Sequence, residues 1–202
     1  MVCRLLHSLE RGELPDDGGP FLQPYRPEIH ARPIELARAC VGVGEEERSR
    51  RLLCTGHAFL ALAQLYTGDL ASARTAAETA RRHDEPEFNY YVLAYLGVIA
   101  LRQGDTRVAL EAFDAARCET KAMIAFSDDN FRAYDMQGLT LSGLTLSGDG
   151  NHIPAAVDAY ARARAICDDA GIIGRALRTF DALAAADREG RLAPARAALL
   201  GE

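Results

Sequence analysis

Tryptophan is absent from the 202 residues, and tyrosine and phenylalanine together make up only 7%. A core with so few rings must close on alanine and leucine, which favours close-packed helices over sheets. Lysine is nearly missing as well: 22 of the 23 basic residues are arginine and only Lys121 is lysine. This reads as the codon bias of a GC-rich bacterial genome. The net charge is −6, which argues against nucleic-acid binding as a property of the whole chain. No stretch approaches the roughly 18 apolar residues of a membrane-spanning helix, so no membrane partner is expected. Met1 to Leu9 is too short, and too soon followed by Glu10 and Glu13, to serve as a secretory signal. The five cysteines (Cys3, Cys40, Cys54, Cys118 and Cys167) are scattered and include no C-x-x-C, which removes the zinc knuckle and the thioredoxin-type pair. They are expected to be buried free thiols in a reducing cytoplasm.

Motifs for chemistry are missing too. There is no phosphate-binding G-x-x-x-x-G-K-[ST], no G-x-S-x-G and no H-E-x-x-H. The histidines His7, His30, His57, His83 and His152 lie far apart in the chain. Cys54 and His57 share a helix face at a spacing of three, which would suit a nucleophile and its base. In an alanine-rich helix, packing accounts for them more simply. Glu45-Glu46-Glu47 reads as a solvated helix start and Asp128-Asp129 as a capping loop, rather than metal or acid–base sites. No catalytic residue, cofactor or metal site is therefore expected, and enzymatic activity is not expected.

What the chain does have is a repeat. Leu93, Leu96, Gly97, Ala100, Gly104, Asp105, Ala109, Phe113 and Ala116 place small and large apolar residues at helical spacing on both sides of one Gly-Asp pair. That pattern predicts a helix, a tight turn and a second helix. Shifted back by 36 residues it returns as Leu60, Ala61, Gly68, Asp69, Ala73, Ala77 and Ala80. A period of this size marks stacked helical units. Gly148-Asp149 leads into Ala156, Tyr160 and Ala163, and Gly190 into Ala195 and Leu199, as two weaker copies. The glycines supply a left-handed turn and the aspartates a cap for the helix that follows.

Leu-Gly in the first helix, Gly-Asp in the turn and Ala-aromatic-Ala in the second helix resemble the tetratricopeptide repeat family. The resemblance covers roughly residues 45–200, with repeats near 54–87, 90–123, 128–170 and 172–202. It departs from the family at Ala77, where an aromatic is usual, and it is weak in the first helices of repeats three and four. The fold it implies is all-α: a right-handed superhelix of three to four stacked antiparallel helix–turn–helix repeats over residues 33–202. In that family the first helices line a concave groove. Carried over by position, the groove residues would be Thr55, Phe59, Leu62 and Tyr66 in repeat one, and Tyr91, Tyr95, Val98 and Arg102 in repeat two. Chaperone-binding members hold a terminal carboxylate with Lys, Asn and Arg. Here the matching positions are Ala58, Leu62, Ala94, Tyr95 and Val98, so that clamp is missing and the groove is apolar and aromatic.

Around the repeats, residues 1–32 are read as a short helix over 1–9 followed by a proline-rich segment. Pro20, Pro24, Pro27 and Pro33 block a helix and favour an extended path. The segment is either a linker or a strap, and Phe21, Leu22 and Tyr25 favour a strap. A helix is expected to open at Pro33 and stop at Gly42 and Gly44, with the next opening at Glu45 and running to about Tyr66. Between Ala116 and Gly148 the spacing is two helical turns longer than in the preceding repeat. Leu139-Thr-Leu-Ser-Gly143 is followed by an identical Leu144-Thr-Leu-Ser-Gly148. The alternation is strand-like, but its place in the array predicts helix. Later helices are expected at about 153–170, 172–188 and 192–200, with Arg191 and Arg196 facing outward on a closing cap. The function these features imply is a non-enzymatic protein-interaction module for a peptide or partner helix. The second reading is the sensor domain of a bacterial regulator that binds a small effector or signal peptide; homodimerisation through the apolar groove is a further possibility.

Overall fold

A computed structural model describes the chain from residue 27 onward, with side chains from residue 32. Nine α-helices and no strand occur among the described residues. They are α1 (Pro27–Glu46), α2 (Arg50–Thr67), α3 (Leu70–Arg82), α4 (Pro86–Arg102), α5 (Thr106–Phe126), α6 (Phe131–Leu146), α7 (Ile153–Ile166), α8 (Ala170–Ala184) and α9 (Ala193–Leu200). The all-α class expected from composition holds, and none of these helices is long and apolar enough to cross a membrane. The helix expected at 1–9 and the proline-rich segment up to residue 26 lie outside the described residues. The chain divides into two compact units, Met1–Glu85 and Pro86–Glu202.

In the first unit α2 packs against both α1 and α3. Its beginning differs from the expectation. Pro33, Gly42 and Gly44 all lie inside α1, and Glu45 and Glu46 end that helix instead of opening the next. The glycines are explained by packing. A Cβ on Gly44 would stand 3.0 Å from the Leu53 amide nitrogen, so the residue is small because α2 passes there. Arg48 turns the chain with φ 50°, and Ser49 caps α2 by accepting the Leu52 N–H at 3.3 Å. α1 and α2 also approach closely at Gly56, where a Cβ would meet Val41 Cγ2 at 2.8 Å and the Val41 backbone nitrogen at 3.0 Å. Alanines line the α2–α3 seam: Ala61, Ala73, Ala77 and Ala80 are all buried.

The Gly-Asp turns form as their chemistry requires. Gly68, Gly104 and Gly148 have φ of 82°, 79° and 89°. In each case the aspartate N–H reaches back five residues, to Gln64 O at 3.0 Å, Ala100 O at 2.9 Å and Leu144 O at 3.1 Å. This is the left-handed ending that satisfies the last carbonyls of a helix. Asp69 and Asp105 then cap α3 and α5, accepting the Ser72 N–H at 3.1 Å and the Val108 N–H at 3.2 Å. Asp149 departs from the pattern. Its turn is three residues longer, and Asn151 Oδ1 accepts the Ile153 N–H at 3.1 Å.

The second unit is built around α4, which packs on α5, α6 and α8 and is buried continuously from Val92 to Ala100. A helix apolar on all sides belongs in a core. Phe113 of α5, with no exposed surface, interlocks it with α6: a Cβ on Gly97 would stand 2.6 Å from the ring, and one on Gly143 would be closer still. Tyr160 of α7 presses on Gly138 in the same way, at 2.7 Å. The five-residue duplication is helical, as its place predicts. Five residues turn an α-helix by roughly 140° past one full circle, so Gly138 and Gly143 face different neighbours, α7 and α5. Gly148, the third of the series, ends the helix. The longer turn also explains the register. The His152 N–H donates to Thr145 Oγ1 at 2.9 Å, so the connection doubles back along α6 by one turn. Tyr160 accordingly meets a glycine one turn further from the end than Gly97 is from its own.

The two surplus turns expected between Ala116 and Gly148 extend α5, which is 21 residues long and ends at Phe126. Ser127 then donates to the Asp129 carboxylate, and Asn130 caps α6 by accepting the Ala133 N–H at 3.1 Å. Two helix ends differ from expectation. α7 stops at Ile166, because Cys167 is extended and Asp169 caps α8, accepting the Ile172 N–H at 2.9 Å. α8 ends at Ala184, where Asp187 gathers the turn by accepting the Leu192 N–H at 2.8 Å. α9 starts at Ala193 and lies chiefly against α7, less against α8. Arg196 faces outward to Asp181 at 3.3 Å, and Arg191 is about half exposed.

Candidate interaction surface

Residues 55, 59, 62 and 66 follow one face of α2, and residues 91, 95, 98 and 102 one face of α4, each at steps of four, three and four. On α2, Thr55 is buried, while Phe59, Leu62 and Tyr66 are half-buried. On α4, Tyr91 and Arg102 are half-buried, Tyr95 keeps 8% of its surface, and Val98 keeps none. Each stripe therefore sinks into its own unit at some positions and stays accessible at others. Val98 and Arg102 lie where α8 crosses: Arg102 Nη1 donates to the Ala182 carbonyl at 3.2 Å. That hydrogen bond was not legible from the sequence.

The accessible end of α4 is aromatic. Phe88, Tyr91 and Tyr95 follow one another along the face, with ring centroids 6.4 Å and 6.2 Å apart. The Tyr90 and Tyr91 ring centroids lie 4.1 Å apart, and the two hydroxyls share a hydrogen bond. Burial raises both phenols above their ordinary pKa, Tyr91 strongly, and Tyr90 adds to the effect on Tyr91. The Arg132 guanidinium acts in the opposite direction on both. Arg132 also stands over the Phe131 ring at 5.3 Å, and Arg162 over Tyr134 at 6.0 Å. Phe88 was missed in the sequence, although it lies three residues before Tyr91 and continues the same spacing. At the far end of α5, Phe126 is 89% exposed.

Cys54 and His57 do not form an activated pair. The Cys54 thiol is buried, and desolvation pushes its pKa up, assisted by the Glu85 and Asp84 carboxylates. The Glu85 backbone N–H and Arg50 pull it down by less. An activated nucleophile is shifted the other way. His57 instead stacks on His83, with ring centroids 5.8 Å apart and planes 9° apart. The expectation of buried thiols holds for Cys40 and Cys54 but not for Cys118, which is exposed, or Cys167, which is half-buried; all four are free. Cys118 lies on the solvent side of α5, opposite Ala116 and Thr120, and is not drawn into the core. Among the described residues no three His, Cys, Asp or Glu side chains come together as a metal-binding group.

The most buried charges lie in the second unit. Arg164 of α7 donates to Asp135 of α6 at 2.6 Å and to the Leu199 carbonyl of α9 at 3.3 Å, tying three helices together. Burial raises the Asp135 pKa to about 6, against the pull of Arg164 and Arg175. No family model matches the chain, and neither a curated protein nor a solved structure matches it.

Proposed function

We propose that the chain is a non-enzymatic protein-interaction module of tetratricopeptide type. Each unit offers a partner the accessible part of its own stripe: Phe59, Leu62 and Tyr66 on α2, and Phe88 and Tyr91 on α4, with Tyr95 as their floor. The observation that carries the reading is the ordered row of rings on α4, a helix that is buried continuously from Val92 to Ala100. Aromatic rings fixed in place give a partner apolar area at little entropic cost. The matching Gly-Asp hairpins of α2–α3 and α4–α5 support the repeat reading. The direction of the Cys54 shift supports a non-catalytic role.

Partners retained from a cell lysate by the wild-type chain, and by Phe59→Ala and Tyr91→Ala variants, test the proposal by mass spectrometry. A discrete protein lost by a variant of unchanged helix content is the expected result. Identical retention by all three chains would refute it.

A further inference from the structure

The first unit ends on a cluster that its helical packing does not require. His83 is the C-cap of α3, and its ring lies parallel to that of His57 on α2, with centroids 5.8 Å apart. The next residue, Asp84, has φ 46°, a left-handed conformation in which a non-glycine residue is strained. Glu85 follows; its backbone N–H bonds to the Cys54 thiol, and its carboxylate stands 3.9 Å from Arg50. Three consecutive residues are thus held on α2 by a ring stack, a hydrogen bond and a weak ion pair, with a strained residue in the middle.

We propose that this is a proton-operated clasp: while His57 is neutral its stack on His83 holds residues 83–85 against α2, and proton uptake by His57 releases them. The geometry supplies the reason. His57 Nδ1 is buried and has no hydrogen-bond partner. In the neutral ring this leaves one lone pair unmet, which is tolerable. In the charged ring it leaves an unmet N–H on a desolvated cation, which is not. A charge on His57 would also face the parallel His83 ring, which disfavours it.

The groups around His57 oppose one another. α1 presents Glu45, which favours the charged ring, and α3 presents His83, which disfavours it. The turn after α3 places Asp84 and Glu85, and α2 places Arg50, around the neighbouring Cys54. Burial and His83 outweigh Glu45, so the His57 pKa falls below its ordinary 6.5. The folded chain therefore takes up this proton later than the unfolded chain as pH falls. The stability contributed by the clasp is present above 6.5 and is lost below it.

Amide hydrogen exchange on the full chain, corrected for intrinsic rates, tests the clasp. Between about pH 7.5 and about pH 5.5, protection in residues 80–85 should fall by a larger factor than in residues 109–116, and His57→Gln should remove the difference. Equal losses in the two segments of the wild-type chain would overturn the proposal, as would an unchanged loss in the variant. A second readout needs no variant. An imidazole titration of His57 by NMR with its midpoint below 6.5 supports the clasp, and a midpoint at or above 6.5 overturns it.

Discussion

Gly143→Ala separates close packing from helix propensity. Gly143 is inside α6, and its missing Cβ makes room for the ring of Phe113. Propensity alone predicts that alanine would stabilise α6 by about 1 kcal/mol. Packing predicts the reverse. The added methyl would overlap the ring, and the ring has nowhere to go, because Gly97 leaves only 2.6 Å on its other side for a Cβ of its own. Overpacking of this kind costs about 1–3 kcal/mol. Since the clash involves a fully buried ring held by two helices, the upper part of that range applies, leaving a net loss of about 1–2 kcal/mol after the propensity gain. Guanidinium denaturation followed by far-UV circular dichroism measures it as a lower midpoint. Adding Phe113→Leu should make the double variant less destabilised than the sum of the single ones, because the two sites share one contact. Gly174→Ala is the control: it is a helical glycine whose Cβ would meet nothing within 4 Å, and alanine there should stabilise by up to about 1 kcal/mol. If Gly143→Ala matched that control, the interlock of α4, α5 and α6 through Phe113 would be refuted.

Other consequences follow from the same contacts. Gly56→Ala should destabilise the first unit by about 1–3 kcal/mol, because its Cβ would meet backbone atoms of α1 that cannot rotate away; loss of amide protection in α1 and α2 would report it. Asp69→Ala and Asp105→Ala should each cost about 1 kcal/mol through the lost caps, read as lower denaturation midpoints. The Asp135 carboxyl binds its proton more tightly folded than unfolded, so its own contribution to stability should fall as pH rises from 3.8 to about 6 and level off above. Denaturation midpoints across that interval should show this slope in the wild-type chain and not in Asp135→Asn. Arg164→Leu should cost about 3–5 kcal/mol at neutral pH, where it leaves the Asp135 carboxylate buried without its hydrogen-bonding partner, and less at acidic pH, where the carboxyl is protonated.

The hairpin turns were legible because their chemistry is local. A glycine that must turn left and an aspartate that must cap leave the same mark wherever they occur, so α2–α3 and α4–α5 could be placed from Gly68-Asp69 and Gly104-Asp105. The first helix was misplaced for the complementary reason. Pro33, Gly42 and Gly44 are breakers on local grounds, yet they lie inside α1, and Gly44 is small because of Leu53, a residue of another helix. Gly56, Gly138 and Gly143 have the same kind of cause and leave no local signal. In the duplication, the alternation of Leu and Thr pointed to a strand, and only the helical context of the array overruled it. The surface residues divide in the same way. Spacing put Tyr91, Tyr95, Val98 and Arg102 on one face of α4, but the crossing of α8 that buries Val98 and engages Arg102 arises from pairings distant in sequence.

Photo-crosslinking from position 91 tests the interaction surface most directly. A photoreactive phenylalanine analogue replaces Tyr91 in the full chain, and a matched one replaces Arg107, which is exposed on α5. Irradiation in the source cell should join one discrete protein or peptide to position 91 and not to position 107. Identical products from both positions, or none from position 91 in a chain of unchanged helix content, would contradict the proposal that the aromatic row of α4 binds a partner.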